Sequence, residues 1–489
     1  MSCLIAAPCS GSGKTLLSLL LAAVCRQRGV SLQPFKVGPD YLDPQLLGAV
    51  AGRPCRNLDP LLCGEAWVQR CFHGYGHQAE RVLVEGVMGL FDGVGPSTTG
   101  SSAAVAALLD LPVVLVVEAS RQAASLAALV RGFRDHGPPR VCLAGVVLNR
   151  VGSPRHRALL VEVLAELGVP LLGVLPPEDS LVLPSRHLGL LPAHELPDLA
   201  ERLPHWAALA AAHLDLEKLW PLLAPPAPLA GADPIRWCLA QAPEAATPRH
   251  DSLQEPLPIA LARDAAFHFL YPEAEELLRG VGLEPIPWSP LADDPLPAGC
   301  RAVVLPGGYP ELHAATLAAS RRSLSQLSEA VQGGLPVVAE CGGLLLLGQT
   351  LVDSQGQAQP MAGLLPFSAR RGNLSLGYRQ ATVQRTGLLV QQGERWRGHE
   401  FHRWQLEFTA NAANPAPLWQ LEGWGTPPQH EGWTTPTLHA SWLHLHWAGC
   451  PAIPSRLAAA AANAAPPWTS AASSSPAKSG PVHHRNAGG

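Results

Sequence analysis

Short apolar runs alternate with longer segments of helical spacing through the first part of the chain. Residues 2–7, 32–37, 81–85, 113–118 and 141–148 read as buried strands, with 171–175 as a further one. Uninterrupted apolar runs of about 4–8 residues suit a sheet covered on both faces. Between them, residues 16–28, 103–109 and 123–133 carry helix-like patterns. Strand–helix alternation of this kind predicts a parallel sheet with helices on both sides. Over residues 223–257 the pattern dissolves into Pro, Ala and isolated charges, as in "LAPPAPLAGADP", and reads as a linker. Alternation resumes with strands at 259–262, 302–305 and 336–339. The expected organisation is therefore an α/β unit over 1–222, a linker, and a second α/β unit over 258–450. From 451 onward an Ala-rich stretch runs into a Ser/Pro/Gly tail, which predicts disorder apart from a helical turn or two in the Ala run.

Composition narrows the class. A chain of 489 residues exceeds one core, and 47% apolar residues are ample for two. A formal net charge of -4 gives no basic surplus to draw in nucleic acid or an anionic membrane. The 11 cysteines include no CxxC pair of the structural-zinc type, and their odd number argues against a disulfide framework. The apolar run 16–25 is too short to span a bilayer, and no basic region of the secretory kind precedes it. A reduced, cytoplasmic protein is expected.

The strongest local signal is "APCSGSGKT", between a predicted strand and a predicted helix. Small residues at Ser10, Gly11, Ser12 and Gly13 let backbone N–H groups turn toward phosphate oxygens, and the helix N-terminus adds its dipole. Lys14 would reach the β- and γ-phosphates and the Thr15 hydroxyl would ligate Mg²⁺, so ATP or GTP binding is expected. Pro8 stands where such loops usually begin with Gly. Two acidic clusters fall at strand ends, where open α/β sheets bind ligands. "KVGPDYLDP" supplies Asp40 and Asp43, and "VEGVMGLFDG" supplies Glu85 and Asp92. Hard oxygen donors there suit a Mg²⁺ shell around phosphates: Asp40 and Glu85 as ligands, Asp92 and Asp43 positioning metal or substrate. Asn149, ending another strand, offers an amide for a base edge.

In the second half, "LPVVAECGGLLLLG" breaks an apolar run at Glu340-Cys341-Gly342-Gly343. A small-flanked nucleophile at a strand-to-helix turn has elbow geometry, and a helix N-terminus should lower the thiol pKa. The Gly342 N–H, with a donor from "LPGGYPE" around Gly307 and Gly308, would form an oxyanion hole. A base is needed. "HASWLHLHWAG" places His444 and His446 on one face of an expected strand, one as base and the other structural. His399, Glu400 and His402 in "GHEFHRW" are a rival source, and that trio also has the makings of a metal site. No acidic residue follows either His in His-x-Glu spacing, so a Cys–His dyad is expected rather than a triad.

These stretches, with "LVEGVMGLFDG", "GVVLNRVGSPRH", "PSRHLGLLPA", "ARDAAFHFLYPEA" and "LGY", closely resemble the cobyrinic acid a,c-diamide synthase family, in family order from about residue 3 to 449. The resemblance implies a P-loop domain similar to dethiobiotin synthetase followed by a flavodoxin-like, class I-type glutamine amidotransferase domain. It further implies ATP- and Mg²⁺-dependent amidation of the a and c carboxylates of cobyrinate, a tetrapyrrole, with glutamine as nitrogen donor. By motif match, Cys341 takes the nucleophile role and His444 aligns with the base, His446 remaining the alternative. Trp442 stands where Tyr is usual, and His402-Arg403-Trp404 follows "GHEF" in departure from the family pattern. A homodimer is left open. Two other readings share features: a partitioning-type ATPase, which has the P-loop sheet but no use for a Cys341/His444 unit, and cobyric acid synthase. Hydrogenobyrinate and sirohydrochlorin-type tetrapyrroles remain alternative acceptors.

Overall fold

Seven parallel strands make the N-terminal sheet, in the order β3 (Arg56–Leu58), β2 (Leu32–Val37), β4 (Arg81–Glu85), β1 (Leu4–Ala6), β5 (Val113–Glu118), β6 (Leu143–Asn149) and β7 (Leu171–Val174). The computed structural model describes residues 2–178, 185–186, 189–190, 192–231, 233–242, 255–408, 416–464 and 468. Runs such as "VVLVVE" are buried on both faces because helices cover the sheet on both sides. Helix α1 (Lys14–Gln27) follows β1 and is apolar almost all round. It packs against both the sheet and the helix Leu199–His213, so no face is left for polar residues. The polar three-residue β3 gave no apolar run to read, yet it lies at the interface between the two units.

The C-terminal unit centres on a six-stranded sheet: Leu283–Trp288, Leu257–Ala262, Val303–Leu305, Val337–Glu340, Leu438–Ser441 and Trp433–Thr434. The first five are parallel and the last antiparallel. In chain order the parallel strands run 2-1-3-4-5, the flavodoxin-like arrangement, whose ligands bind beyond the carboxyl ends of the strands. A second, mostly antiparallel sheet is built on the long hairpin of Phe367–Val383 and Arg395–Phe408, with Thr350–Val352 added in parallel. Its strands are rich in Arg, Gln and Ser and much of their surface is open, so apolar runs do not mark them.

Three expectations are corrected. The 223–257 stretch is not linker throughout: Leu223 bridges Ser2, and Asp233 caps a helix, Pro234–Leu239, packed on Glu65–Gly76 and Pro272–Gly280. The chain beyond 450 begins with a helix, Ala452–Asn463, which buries Ile453, Leu457 and Ala461 and hands its last carbonyls to Arg301. The strand carrying Ser441 stops there, so His444 and His446 do not alternate along it; His444 sits in an isolated bridge and His446 caps a 3-10 turn. Much of "PSRHLGLLPA" lies outside the described residues.

The two units meet over an extensive interface. A single hydrophobic cluster runs from the N-terminal sheet into the C-terminal unit, through residues such as Trp67, Phe72, Leu277 and Ile453. Buried polar contacts cross it. Arg56 donates to Glu273 Oε1 at 3.2 Å and to Glu276 Oε1 at 2.5 Å, with its guanidinium 3.4 Å over the Tyr75 ring. Tyr378 donates to the buried Asp59 at 2.8 Å, and Gln45 donates to the His268 carbonyl at 2.8 Å.

Candidate functional site

The β1–α1 loop holds Gly11 at φ 81° and Gly13 at φ 112°, backbone that a side chain strains. A Cβ on Gly13 would lie 2.5 Å from Asn149 Nδ2. Asn149 is the brace for this loop: Nδ2 donates to Ser12 O at 3.0 Å. That contact gives Asn149 a part in bracing the loop that the sequence did not show, and leaves Oδ1 of the same amide without a bond to Ser12. Lys14, nearly buried, donates to Met88 O at 2.5 Å, and burial with the neighbouring Lys36 lowers its pKa. Ser10 and Gly11 remain exposed at the loop's mouth.

Behind the loop, Thr15 Oγ1 donates to Glu85 Oε1 at 2.8 Å. Lys36 lies among the carboxylates, with Nζ 2.6 Å from Asp43 Oδ2, 2.7 Å from Glu85 Oε1 and 3.9 Å from Asp40 Oδ2. Burial disfavours its charge, but Asp43, Glu85 and Asp40 outweigh that and hold the ammonium well above its usual range. Burial also pushes Asp43 up, yet Lys36 keeps it below the ordinary carboxylate range. Asp40 is pushed up to about 7 by burial and by Asp43, and burial raises Glu85. A lysine inside a strand read as buried was the sequence signal for this ion pair. Asp43 is thereby engaged by Lys36, while Asp40 Oδ1 caps the Leu42 N–H at 2.8 Å. Asp92 is exposed and accepts from the Gly89 N–H at 2.8 Å, holding its own loop. Glu85 Oε2 is buried without a protein partner. With the Thr15 hydroxyl beside it, this oxygen fits a hard divalent cation at the nucleotide phosphates.

In the C-terminal unit, Cys341 sits between the strand Val337–Glu340 and the helix Gly342–Leu347 at φ 47°, a left-handed backbone that non-glycine residues rarely adopt. The turn is tight enough that a Cβ on Gly343 would lie 2.1 Å from Leu305 O, and one on Gly342 2.9 Å from Gly308 N. Gly308 is itself wedged against Ala266 O, 2.1 Å from its own would-be Cβ. The Gly342 N–H faces the thiol and lowers its pKa, but burial and then Glu311 act the other way and win. The expected depression of the Cys341 pKa is therefore corrected: a water-excluded site favours the neutral thiol, and a base must take its proton.

His444 is fully buried, and burial lowers its pKa to about 3, so the imidazole is neutral, with a lone pair free to accept a hydrogen bond although burial weakens it as a base. Its backbone pairs with His399 in both directions at 2.9 Å, and its Cε1 fills the space a Cβ on Gly307 would take, 2.5 Å away. Nε2 has no partner. His444 Nδ1 lies 3.5 Å from Tyr41 Oη, from the N-terminal unit. Tyr41 also stacks on Phe269, with centroids 5.0 Å apart. His446 is differently occupied: its ring stacks on Tyr271 at 4.2 Å and Nδ1 accepts from the Ala448 N–H at 3.3 Å. A cleft of about 30 Å³ beside Cys341 is lined by Gly308, Glu311, Phe401, His402 and Trp442. His402 stacks flat on Trp442 at 4.0 Å, so the two departures from the family pattern touch each other. Glu311 is pushed up to about 7 by burial. Glu400 lies 2.6 Å from Arg379, a buried ion pair, rather than in a His/Glu/His cage. Among the described residues, no helix is long and apolar enough to cross a membrane.

Residues 3–190 match the CobQ/CobB/MinD/ParA nucleotide binding domain, and 258–451 the CobB/CobQ-like glutamine amidotransferase domain. A cobyrinate a,c-diamide synthase of Synechococcus sp. is 43% identical over 92% of this chain and 96% of its own. One from Gloeobacter violaceus is also 43% identical, over 91% and 94%. A hydrogenobyrinate a,c-diamide synthase of Thermobifida fusca is 41% identical over 94% and 97%. With both domains present in order and similarity over nearly the full length, the chain belongs to the cobyrinate/hydrogenobyrinate a,c-diamide synthase family.

Proposed function

We propose that this protein is a cytoplasmic enzyme that amidates the a and c carboxylates of cobyrinate, using ATP to activate each carboxylate and glutamine to supply ammonia. The observation that carries this reading is Tyr41: it follows Asp40 at the carboxylate cluster and at the same time touches His444 of the glutamine unit. A carboxylate resists ammonia because oxide is a poor leaving group. Attack of a carboxylate oxygen on the γ-phosphorus of ATP expels ADP and gives an acyl phosphate. Lys14 and the loop N–H groups balance the phosphate charge, and the hold of Lys36 on Asp43 and Glu85 fixes the floor of the site. Thr15 and Glu85 would hold Mg²⁺, whose charge favours phosphoryl transfer, with Asp40 at the rim.

In the other unit, His444 accepts the Cys341 proton as sulfur attacks the glutamine amide. The N–H groups of Gly342 and Gly308 would take the oxyanion, since Gly308 and Gly342 pack against each other beside Cys341. His444 returns that proton to the amide nitrogen, the C–N bond breaks and ammonia leaves. Water, giving a proton to His444, then cleaves the thioester to glutamate, and the proton goes back to the free Cys341 sulfur. Ammonia then attacks the acyl phosphate carbonyl and expels phosphate. Keeping that transfer inside the protein matters, because ammonium in bulk water is no nucleophile. Cys341→Ala should abolish glutamine-driven amidation and leave ammonia-driven amidation within about twofold, the barrier of that half being untouched. Mass spectrometry of the tetrapyrrole product reads both, and loss of both activities would sink the division of labour. Running cobyrinate and hydrogenobyrinate in parallel identifies the acceptor.

A further inference from the structure

Between the nucleotide loop and the long hairpin of the C-terminal unit lies a cavity of about 580 Å³. One wall comes from the N-terminal unit: Ser10 of the loop, Asp40, and the exposed Met88. The facing wall belongs to the glutamine unit and carries Leu376, His399 and Trp424. Large apolar side chains normally avoid water, yet Trp424 is 68% exposed, Leu376 52% and Met88 43%, and all three line this one space. Scattered exposed apolar residues need no explanation, but a cluster around a concave space does. Trp424 sits at the turn between Trp419–Gly423 and Thr426–Glu431. Its indole leans on Gly95, where an added Cβ would lie 2.5 Å from Nε1, so the turn is docked on the loop that follows Asp92.

A polar feature points into the same space. His399 is nine-tenths buried and lines the cavity, and its Nδ1 has no partner in the protein. Burial lowers its pKa to about 4, so the ring stays neutral and keeps one N–H to donate and one lone pair to accept. Apolar surface with one unpaired polar group suits a large, flat, largely apolar ligand fringed by carboxylates. The neighbouring space of about 360 Å³ on the far side of Asp40 and Tyr41 contains no residue of the nucleotide loop, so a carboxylate there would not face the γ-phosphate.

We infer that the glutamine unit, through Trp424, Leu376 and His399, supplies half of the tetrapyrrole acceptor site, with the macrocycle on the aromatic and aliphatic wall and a peripheral carboxylate turned toward Ser10 and Asp40. This rests on the proposed amidation of a tetrapyrrole and adds where the acceptor binds. It also accounts for the position of His399, whose backbone is paired to that of His444: the acceptor wall and the glutamine base share one pair of hydrogen bonds.

The test is equilibrium binding of cobyrinate to the full-length protein, followed by its absorption spectrum, alongside steady-state kinetics. Trp424→Ala and Leu376→Ala change exposed side chains, and circular dichroism checks that each variant is folded. Each should raise the Kd and the KM for cobyrinate by about tenfold, the scale of losing one large contact. Trp424→Phe should restore most of the affinity, and the KM values for ATP and glutamine should stay within about twofold of wild type. Changes in cobyrinate Kd below about threefold in both alanine variants would overturn the inference. Failure of the wild-type protein to amidate cobyrinate or hydrogenobyrinate with ammonia and ATP would instead overturn the functional reading beneath it.

Discussion

Lys36 is the residue on which the synthetase half turns. Its ammonium is almost wholly buried between Asp43 and Glu85; Glu85 is fully buried and Asp43 mostly so. A buried pair adds little when replaced as a whole, but removing one member leaves the rest charged and unsolvated. Lys36→Met should therefore destabilise the protein by about 3–5 kcal/mol and reduce ATP-dependent synthesis far more than glutamine hydrolysis. Urea unfolding beside the two assays checks this, and an unchanged unfolding midpoint would refute it. Lys36→Arg should not rescue fully, because a planar fork does not fit where a compact ammonium meets two carboxylates and the Gly86 carbonyl. The elongated ladder of charge from Lys14 to Asp40 also explains why the acidic positions were legible from the sequence and their division of work was not. Asp40, Asp43 and Glu85 could be picked out because acidic residues at strand ends are conspicuous. Which of them face a buried cation depends on β2 and β4 lying side by side, with Lys36 in register with Glu85.

At the scale of elements, the Cys341 turn depends on glycine loops packed against it. Gly307 admits His444, and Gly308 closes over Gly342, so the "LPGGYPE" loop fits only without side chains. Gly307→Ala would place a methyl 2.5 Å from His444 Cε1 and push that ring, the proposed base, aside. Displacements near 1 Å can cost about 10²-fold in rate, so glutamine hydrolysis should fall by roughly that factor while ammonia-driven synthesis persists. Loss of both activities together would show a folding defect instead. The strand–helix alternation around this turn was readable because the central parallel strands, Leu257–Ala262, Val303–Leu305 and Val337–Glu340, are largely apolar runs. The hairpin Phe367–Val383 with Arg395–Phe408 was not: its partly open faces leave no uninterrupted apolar stretch, although it forms the wall facing the nucleotide loop. The helix Ala452–Asn463 was underestimated for a related reason. Small alanines signal little hydrophobic drive alone, yet they let the helix lie close against the body of the unit.

For the whole molecule, the interface decides whether the two activities work as one machine. Arg56 reaches out of the N-terminal unit to the fully buried Glu273, and Glu273 Oε2 in turn lies 3.8 Å from His446 Nε2. Burial raises the Glu273 pKa and Arg56 pulls it back. Without Arg56, the buried carboxyl would take up a proton at higher pH. A carboxyl whose folded pKa exceeds its unfolded value of about 4.3 withdraws stability as pH rises toward the folded pKa, and returns it as pH falls. Arg56→Met should thus cost about 3–5 kcal/mol near pH 8 and less near pH 5.5, because the lower pH favours the neutral form of a buried carboxyl that has lost its cation. Urea unfolding of wild type and variant at the two pH values measures the difference. A penalty independent of pH would show that packing against Tyr75, rather than the ion pair, is what Arg56 contributes. Because the pair spans both units, the variant should also split one cooperative unfolding transition into two at the higher pH. In parallel it should lower the share of glutamine-derived ammonia that reaches the acceptor, since a loosened interface lets ammonia escape to water. Glutamate and amide formed per turnover would then diverge, and their continued equality would mean that the two active centres are held together by the apolar cluster alone.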